Sequence, residues 1–344
     1  MRIADVYIAG VGSVVPPTMT VERAVADGLY PAVEAEVHGY LGVAIAGDRP
    51  APDMALEAAQ VAVQRADLEP TELSLLLYTN TWHQGPDGWL PQSYLRRHLV
   101  GGGVPAMAVH QGCVGMFDAL ELACCYLRAE PARRSALLVA ADNYGTPLID
   151  RWRINPGVIG GDAAVAVALS TERGIARVLS VSSIGVPEGE EIHRRGEPMF
   201  PPTVTLGRAQ DFTARLRYDR ANGSVGIHPL TELPALTREL VEKVVSEAGI
   251  KINDLAKVAH EAHSGEVIEH RIMAPLGLDM QRSTWNYGRR TGHCGASDQF
   301  LALEYLISSG EVGPGDFVLL LGQAPGVVVS AAVIEVLEIP PGRM

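Results

Sequence analysis

The chain has few cysteines and no long hydrophobic run. Its 344 residues include four cysteines, Cys113, Cys124, Cys125 and Cys294, which lack the spacing of a zinc site. A protein of this size does not need disulfides to stabilise its core. No apolar run reaches transmembrane length, and the first residues form a strand-like segment in place of a signal peptide. These absences predict a soluble, cytoplasmic protein.

Positive charge is also scarce. Lys and Arg total 28 against 40 Asp and Glu, which gives a net charge of −12. A nucleic-acid-binding protein would present a basic face, and so would a protein that binds anionic membranes, so this balance argues against both classes. Apolar residues make up 47% of the chain, which is enough for a large core and argues against disorder.

The pattern of apolar residues predicts alternating helices and buried strands. The order helix, acidic turn, strand occurs over residues 51–79 and again over residues 230–262. Further predicted strands and helices cover residues 2–15, 104–109, 136–141, 160–169, 266–276, 298–308, 317–321 and 327–336. Two α/β halves of like order predict a pseudo-twofold molecule built from stacked layers. Residues 186–224 are polar and arginine-rich, and they are predicted to form a loop and cap region.

One turn between a strand and a helix carries a candidate nucleophile. The apolar run at 104–109 ends at a turn over residues 111–115, and a helical apolar period follows. Cys113 lies in this turn between two glycines. The helix N-terminus favours its thiolate, and nearby backbone amides can hold an oxyanion. The alternative is a buried cysteine that packs as a small hydrophobe, which is also what we expect of Cys124 and Cys125.

A thiolate nucleophile needs a base and a group that orients the base. His260 and His263 follow a predicted strand, and His293 lies in a loop bracketed by glycines. Asp298 begins a helix five residues later, close enough for its carboxylate to accept a hydrogen bond from the imidazole. Spacing alone leaves open that His293 is an ordinary loop histidine and that Asp298 merely interacts with the helix dipole.

Taken together, these motifs resemble the β-ketoacyl-acyl carrier protein synthase III group of the thiolase superfamily. They are the cysteine turn, Gly160-Gly161-Asp162, the strand-end histidines and the Gly295-Ala296-Ser297 helix start. The resemblance spans residues 2–336, with gaps around 20–50 and 185–225. It implies a thiolase-like five-layered αβαβα fold with two pseudo-symmetric halves. Residues 1–175 would carry the nucleophile, and residues 176–344 would carry the His and Asp residues, with a cap at 185–225.

The resemblance also implies a reaction. Cys113 would be acylated by an acyl-coenzyme A or a phosphopantetheinyl acyl carrier protein, which are donor substrates, so no cofactor is bound permanently. The chain would form a homodimer. The backbone amides of Cys113 and Gly326 would form the oxyanion hole.

The departures from the condensing enzymes favour a different second step. His263 best matches the family's strand-end histidine, with His260 a three-residue shift away, and His293 stands where the condensing enzymes have an asparagine. The pattern is similar to synthase III-like acyltransferases of antibiotic pathways. His293, oriented by Asp298, would remove a proton from a hydroxyl or amine that attacks acyl-Cys113. Two alternatives remain: a decarboxylative starter synthase, and a non-catalytic homologue that binds acyl thioesters.

The sequence says little about the substrates. Residues 20–50 contain no tryptophan to serve as the family's coenzyme A clamp. Arg153 and the arginines between residues 194 and 217 are candidate contacts for phosphopantetheine or for an acidic carrier protein. Trp82 and Trp89 would line a pocket for a small-molecule acceptor, or they would pack in a dimer interface.

Overall fold

A computed structural model describes residues 1–222 and 228–339. The strands are β1 Tyr7–Val14, β2 Thr18–Thr20, β3 Gly42–Ala44, β4 Leu75–Thr79, β5 Ala106–Val109, β6 Ser135–Asp142, β7 Ala163–Ser170, β8 Ala176–Gly185, β9 Leu255–His260, β10 Phe317–Ala324 and β11 Val328–Val336. The α-helices are α1 Val21–Ala26, α2 Ala32–His38, α3 Ala51–Arg65, α4 Pro91–Leu95, α5 Gly115–Arg128, α6 Phe212–Asn222, α7 His228–Thr231, α8 Leu233–Ala248, α9 Gly265–Ile268, α10 Ala274–Leu276, α11 Trp285–Thr291 and α12 Asp298–Ser309. No helix in these described ranges is both long enough and apolar enough to span a bilayer.

Nine strands form one continuous sheet in the order β5-β4-β6-β7-β1-β8-β11-β10-β9. Strands β1 and β8 join its two parts through only two residue pairs, at Tyr7 and Ile8. On one side of this junction all strands come from before Ala176, and on the other side all come from after it. Each part combines parallel and antiparallel pairings. Strand β4 is parallel to both β5 and β6 in the first part, β9 is parallel to β10 in the second, and the other pairings are antiparallel.

Helices cover both parts of the sheet and fill the space between them. Helix α3 packs on β1, β6 and β7, whereas α8 packs on β8 and β11. Helices α5 and α12 lie between the two parts, where Phe117 and Phe300 meet with ring centroids 6.2 Å apart. The order α3, sheet, α5 with α12, sheet, α8 confirms the predicted five-layered thiolase-like fold. Burying a side chain as large as Phe117 contributes about 1.5–3 kcal/mol.

The close approach of α3 to β1 depends on two glycines. A Cβ on Gly10 would lie 2.4 Å from the carbonyl oxygen of Ala62, and a Cβ on Gly12 would lie 2.3 Å from that of Ala58. The helix face that meets them consists largely of alanines, whose small side chains let the backbones approach. This packing explains why the outer layer on this side is rich in alanine and glycine.

Three parts of the secondary structure differ from the predictions. Strand β8 was not predicted, because serines interrupt its apolar residues and weaken the signal. Helix α11 has no counterpart among the predicted elements; it ends before Gly292, whose φ of 72° stops helical winding. The predicted cap contains helix α6 and a 3-10 segment, Pro187–His193, and so is not only loop. Residues 223–224 of the predicted cap lie outside the described residues.

The cysteines of helix α5 also differ from the prediction. Cys124 is fully buried, as expected of a small apolar residue, and burial raises its pKa to about 12. Cys125 is exposed, so its predicted packing is wrong. The two residues are adjacent on a helix that has one face on the core, and adjacent positions point about 100° apart.

Candidate active site

The turn that carries Cys113 is shaped by the glycines on each side of it. Strand β5 ends at Val109, and a 3-10 turn, Gly112–Val114, leads into α5. Gly112 has φ 54°, a conformation that favours glycine. A Cβ on Gly115 would lie 2.1 Å from Thr79 Oγ1, so no side chain fits there. The turn therefore presents the half-buried Cys113 at the N-terminal end of α5, as the sequence pattern predicts.

His293 is held by backbone hydrogen bonds to the segment before β7. Its N–H donates to the Ile159 carbonyl at 2.8 Å, and its own carbonyl accepts from Gly161 N–H at 2.9 Å. A Cβ on Gly161 would lie 2.0 Å from the Thr291 carbonyl oxygen, so the close contact needs glycine. Gly292 combines φ 72° with ψ −178°, a region that is essentially restricted to glycine. The glycines around His293 thus bring two distant segments together.

Cys113, His293 and Asp298 form a continuous chain of contacts. Cys113 Sγ lies 3.0 Å from His293 Nε2, although the two residues are 180 positions apart. His293 Nδ1 lies 2.6 Å from Asp298 Oδ2. The Asp298 carboxylate also accepts hydrogen bonds from Ala262 N–H at 2.8 Å and Cys294 N–H at 2.7 Å. These donors hold the buried carboxylate in the orientation that the imidazole needs.

The contacts determine which nitrogen of His293 carries a proton. An ionised carboxylate only accepts hydrogen bonds, so Nδ1 is the donor to Asp298. Nε2 is then free to accept the Cys113 thiol proton. Burial alone would lower the pKa of His293, but Cys113 and Asp298 together raise it well above its ordinary value of 6.5. A more basic His293 is suited to take the proton of the Cys113 thiol.

The two strand-end histidines occupy different environments. His263 faces the same pocket as Cys113, and its ring centroid lies 6.2 Å from that of His293. Burial and the nearby His293 charge lower its pKa to about 3, so it is neutral at pH 7. His260 is buried behind the pocket wall, where Nδ1 donates to the Glu261 carbonyl at 2.7 Å. Burial lowers the pKa of His260 to about 4.

A buried acid lies behind His263. Glu261 Oε1 is 3.8 Å from His263 Nε2, too far for a hydrogen bond, and it has no hydrogen-bond partner among the described residues. Its other oxygen lies 3.4 Å from Gln299 Nε2. Burial raises the pKa of Glu261 to about 7. This carboxyl is therefore largely protonated below neutral pH, unlike a surface glutamate.

Cys113, His263 and His293 line one pocket, which encloses about 110 Å³. Most of its wall is apolar: Ile154, Val158, Phe212, Leu230, Leu233, Ala324, Pro325 and Val327. The polar groups in the wall are few: Asn155, His193, Arg271 and Gln323. A mostly apolar pocket with a few polar groups beside an activated thiol can bind and react with a small acyl group.

Comparisons with known proteins identify the family of the chain. The family model of 3-oxoacyl-[acyl-carrier-protein] synthase III matches residues 107–184, and that of its C-terminal part matches residues 245–336. The solved structure of ChlB3, described as an acyltransferase, is 53% identical with a TM-score of 0.92, covering 97% of this chain and 98% of ChlB3. This chain belongs to the synthase III-like family of the thiolase superfamily.

More distant members of the synthase III-like family share the fold over nearly the whole chain. The β-ketoacyl-[acyl-carrier-protein] synthase III of Thermosynechococcus vestitus is 26% identical over 97% of this chain and 99% of its own length. The 3-oxoacyl-[acyl-carrier-protein] synthase III of Aquifex aeolicus is 19% identical, with a TM-score of 0.78, covering 96% of this chain and 99% of the other. At that identity the likeness concerns the fold alone.

Three residues predicted to bind substrate in this synthase III-like chain lie outside the cysteine pocket. Trp82 and Trp89 line a separate surface hollow, which reaches the turn at Gly112. Arg153 pairs with Asp150 at 2.8 Å and lines a third hollow. That hollow shares Asn155 and Val158 with the cysteine pocket.

The predicted second oxyanion donor has a partner in the structure. Gly326 N–H donates to His193 Nδ1 at 3.3 Å. It would have to give up this long hydrogen bond to serve an oxyanion. Its role, like those of the other predicted site residues, remains a prediction.

Sequence reasoning missed several residues of the pocket. His193 and Phe212 come from the cap, where the polar composition carries no periodic signal. Arg271 lies on a helical stretch whose surface and pocket faces look alike in sequence. Glu261 could have been found, because it stands between two histidines of interest. A charged residue at the end of a buried strand is uncommon enough to be a signal.

Proposed function

We propose that the protein is an acyltransferase that moves an acyl group from a thioester to a hydroxyl or amine of a small-molecule acceptor, through acyl-Cys113. One observation carries the proposal: the 3.0 Å contact of Cys113 Sγ with His293 Nε2, continued by the 2.6 Å contact of His293 Nδ1 with Asp298. A nucleophile, a base and an orienting acid in this order define covalent acyl transfer on many folds.

In the first step, the Cys113 thiolate attacks the carbonyl carbon of the donor thioester. The new carbon–sulfur bond forms as the carbonyl π electrons move to oxygen, and the intermediate then collapses with loss of the donor thiolate. The leaving thiolate takes the proton from His293 Nε2. The products are acyl-Cys113 and a free thiol, with His293 neutral.

In the second step, His293 Nε2 accepts the proton of the acceptor O–H or N–H as that atom attacks acyl-Cys113. The second tetrahedral intermediate expels the Cys113 thiolate and releases the ester or amide. His293, now protonated, lies beside the thiolate as it did at the start. Asp298 stabilises the imidazolium that forms in this step.

Each tetrahedral intermediate carries a negative oxygen that needs donors. We assign this role to the backbone amides of Cys113 and Gly326, with the neutral His263 as a further donor to the carbonyl. A neutral imidazole can donate one N–H without adding charge, and the low pKa of His263 keeps it in that form. His260 is a weaker candidate, because it is buried behind the wall.

The donor in this proposal is an acyl-coenzyme A or an acyl carrier protein, and no cofactor is bound permanently. Arg153 is the candidate contact for the donor's phosphopantetheine. We further propose a homodimer that acts in the cytoplasm in the biosynthesis of a secondary metabolite such as a polyketide antibiotic. The acyltransferase description of ChlB3, 53% identical, supports the acyl-transfer part of the proposal.

The alternative is decarboxylative condensation, which the names of the synthase III relatives favour. That reaction needs neutral donors to hold an enolate. His293 is instead hydrogen-bonded to a carboxylate, which favours proton removal. A non-catalytic role as an acyl-thioester-binding homologue would leave this contact chain without a use.

The test is intact-protein mass spectrometry after incubation with a panel of acyl-coenzyme A and acyl carrier protein thioesters. We expect an adduct of the acyl mass on the native chain and on Cys125→Ala, but not on Cys113→Ala. Cys125 is the matched control, because an exposed thiol could be acylated without catalysis. Addition of hydroxyl, amine or thiol acceptors to the isolated acyl-enzyme should then release the adduct as a new product.

Two outcomes would contradict the proposal. The absence of a Cys113-dependent adduct with every donor would favour the non-catalytic homologue. Release of labelled carbon dioxide from a malonyl thioester, dependent on Cys113 and coupled to a carbon–carbon product, would favour the condensing enzyme.

A further inference from the structure

The cap contributes a histidine, His193, to the wall of the cysteine pocket. His193 ends the 3-10 segment Pro187–His193 and lines the same pocket as Cys113. The preceding part of this segment is tied to the turn between β10 and β11. Val186 N–H donates to the Val327 carbonyl at 3.0 Å, and a Cβ on Gly189 would lie 2.3 Å from Val327 Cγ2. The cap is therefore closely fitted to the turn that borders the pocket.

The ring of His193 is held in one orientation by two further contacts. Its Nδ1 accepts a hydrogen bond from Gly326 N–H at 3.3 Å. Its edge packs on Phe212, with ring centroids 5.3 Å apart and an interplanar angle of 88°. The main chain is held as well, because the His193 carbonyl accepts a hydrogen bond from Arg215. A ring fixed in this way cannot rotate to exchange its two nitrogens without breaking both contacts.

These contacts also determine the protonation of the ring. Burial, and then the positive charge of Arg215, lower the pKa of His193 to about 4, so the ring is neutral at pH 7. Because Nδ1 accepts from Gly326, the single proton of the neutral ring is on Nε2. None of the hydrogen bonds described for the side chains of residues 1–218 and 230–339 involves His193 Nε2. His193 is one of the few polar residues in a pocket wall that is mostly apolar.

We propose that His193 is a substrate-binding residue whose Nε2–H donates a hydrogen bond to an oxygen substituent of the acyl group that Cys113 carries. This inference rests on the proposed function, because it needs an acyl group on Cys113. It assigns to the pocket a preference for acyl groups with a hydroxyl or similar oxygen over isosteres with a methyl group. A donor in an apolar wall discriminates in this way because the isostere leaves it without a partner.

The experiment compares acylation rates for two pairs of isosteric donors. One pair is 3-hydroxybutyryl- and 3-methylbutyryl-coenzyme A; the other is the 2-hydroxybenzoyl and 2-methylbenzoyl thioesters of N-acetylcysteamine. The readout is the rate of adduct formation on Cys113 by intact-protein mass spectrometry. In at least one pair we expect the native chain to favour the hydroxylated donor by about 3- to 10-fold, the range for one neutral hydrogen bond.

Three variants distinguish the role of Nε2 of His193 from that of Nδ1. His193→Gln places a donor near the position of Nε2 and loses the Nδ1 acceptor, so it should keep the preference. His193→Asn keeps an acceptor near Nδ1 and loses the Nε2 donor, and His193→Phe keeps only the ring. Both variants should lower the ratio of the acylation rates, hydroxylated over methylated donor, to about 1. His98→Gln, at an exposed histidine, is the matched control, and thermal melting checks that each variant folds.

The same variants distinguish the acyl group from the acceptor as the source of the oxygen. Variants that acylate with native selectivity but transfer more slowly to hydroxylated acceptors would place the oxygen on the acceptor and overturn the assignment to the acyl group. An unchanged preference in His193→Phe would also overturn it. The assignment would also be overturned if His193→Asn kept the preference and His193→Gln lost it, because His193 would then act through its hydrogen bond with Gly326. If no donor forms an adduct, the proposed function fails, and this inference fails with it.

Discussion

Two of the three histidines that line the cysteine pocket have a carboxyl group nearby, and their surroundings give them opposite properties. His293 contacts Asp298 at 2.6 Å, and its pKa is raised well above 6.5. His263 lies 3.8 Å from Glu261, and its pKa is lowered to about 3. A histidine with a carboxyl group nearby is thus basic in one case and neutral in the other.

The groups around the two rings explain the difference. Burial lowers the pKa of both histidines, but Cys113 and Asp298 raise that of His293, whereas the charge of His293 lowers that of His263 further. The two carboxyl groups differ as well, because Asp298 accepts from two backbone N–H groups in addition to the imidazole. Glu261 has one oxygen without a partner among the described residues and only a long contact to Gln299, so burial dominates and raises its pKa to about 7. Whether a histidine beside an acid is basic or neutral thus depends on burial and on all the charged groups around its ring, and not on the acid alone.

The largest expected effect is that of removing the basic histidine. His293→Ala should reduce overall acyl transfer by about 10⁴-fold, the upper range for loss of a general acid–base, because both proton transfers use Nε2. The measurement is the steady-state rate with the donor that acylates Cys113 best. A loss of less than about 10-fold would show that another group is the base.

The next effect tests the acid of the same pair. Asp298→Asn should lower transfer by about 10³-fold, because an amide that donates to Nδ1 would move the ring proton to Nε2 and remove the base. Single-turnover release from pre-acylated enzyme is the measurement, with a melting curve to check folding. Full transfer by both this variant and His293→Ala would refute the assignment of the base.

The neutral histidine should matter less. His263→Phe keeps a ring in the pocket wall and removes its hydrogen-bonding nitrogens. We expect a loss of about 10²-fold, the size of one oxyanion donor, in both acylation and transfer. His98→Phe serves as an exposed control. An effect as large as that of His293→Ala would mean that the two histidines share the proton transfers.

The smallest effect on activity, with a distinct effect on stability, should come from Glu261→Gln. The folded chain keeps the Glu261 proton up to about pH 7, whereas the unfolded chain releases it near 4.5. The free energy of unfolding of the native chain therefore falls between about pH 4.5 and pH 7, by about 3 kcal/mol for this group. Glutamine does not ionise, so the free energy of unfolding of the variant should not fall in this way. Relative to the native chain, the variant should therefore become more stable as the pH rises over that range.

Urea unfolding at several pH values between 4.5 and 8.5 measures this difference. Glu239→Gln, at an exposed acid, is the control and should show no such trend. Asp142 is also buried with its pKa raised to about 7, but it is present in both proteins and cancels in the comparison. Equal pH profiles for the native chain and Glu261→Gln would contradict the raised pKa. Transfer activity at pH 7 should change by less than about 3-fold, because Glu261 makes no hydrogen bond to His263.

The residues that the sequence predicted best are those whose arrangement is local. The strand-to-helix turn around Cys113 follows from a short apolar run and two glycines, one of which has no room for a side chain. The contact of His293 with Asp298 spans five residues across a single turn into α12. The five-layered fold followed from the resemblance of such local motifs, taken in order.

The tertiary structure decided everything that depends on distant segments meeting. It brought Cys113 within 3.0 Å of a histidine 180 residues away, turned His263 toward the pocket and His260 away from it, and placed Trp82 and Trp89 in another hollow. Local spacing is set by the geometry of turns and helices, which the sequence determines directly. The direction of a strand-end side chain, or the place where a cap docks, is set by packing against residues far along the chain. That is why His193 emerges only from the folded structure.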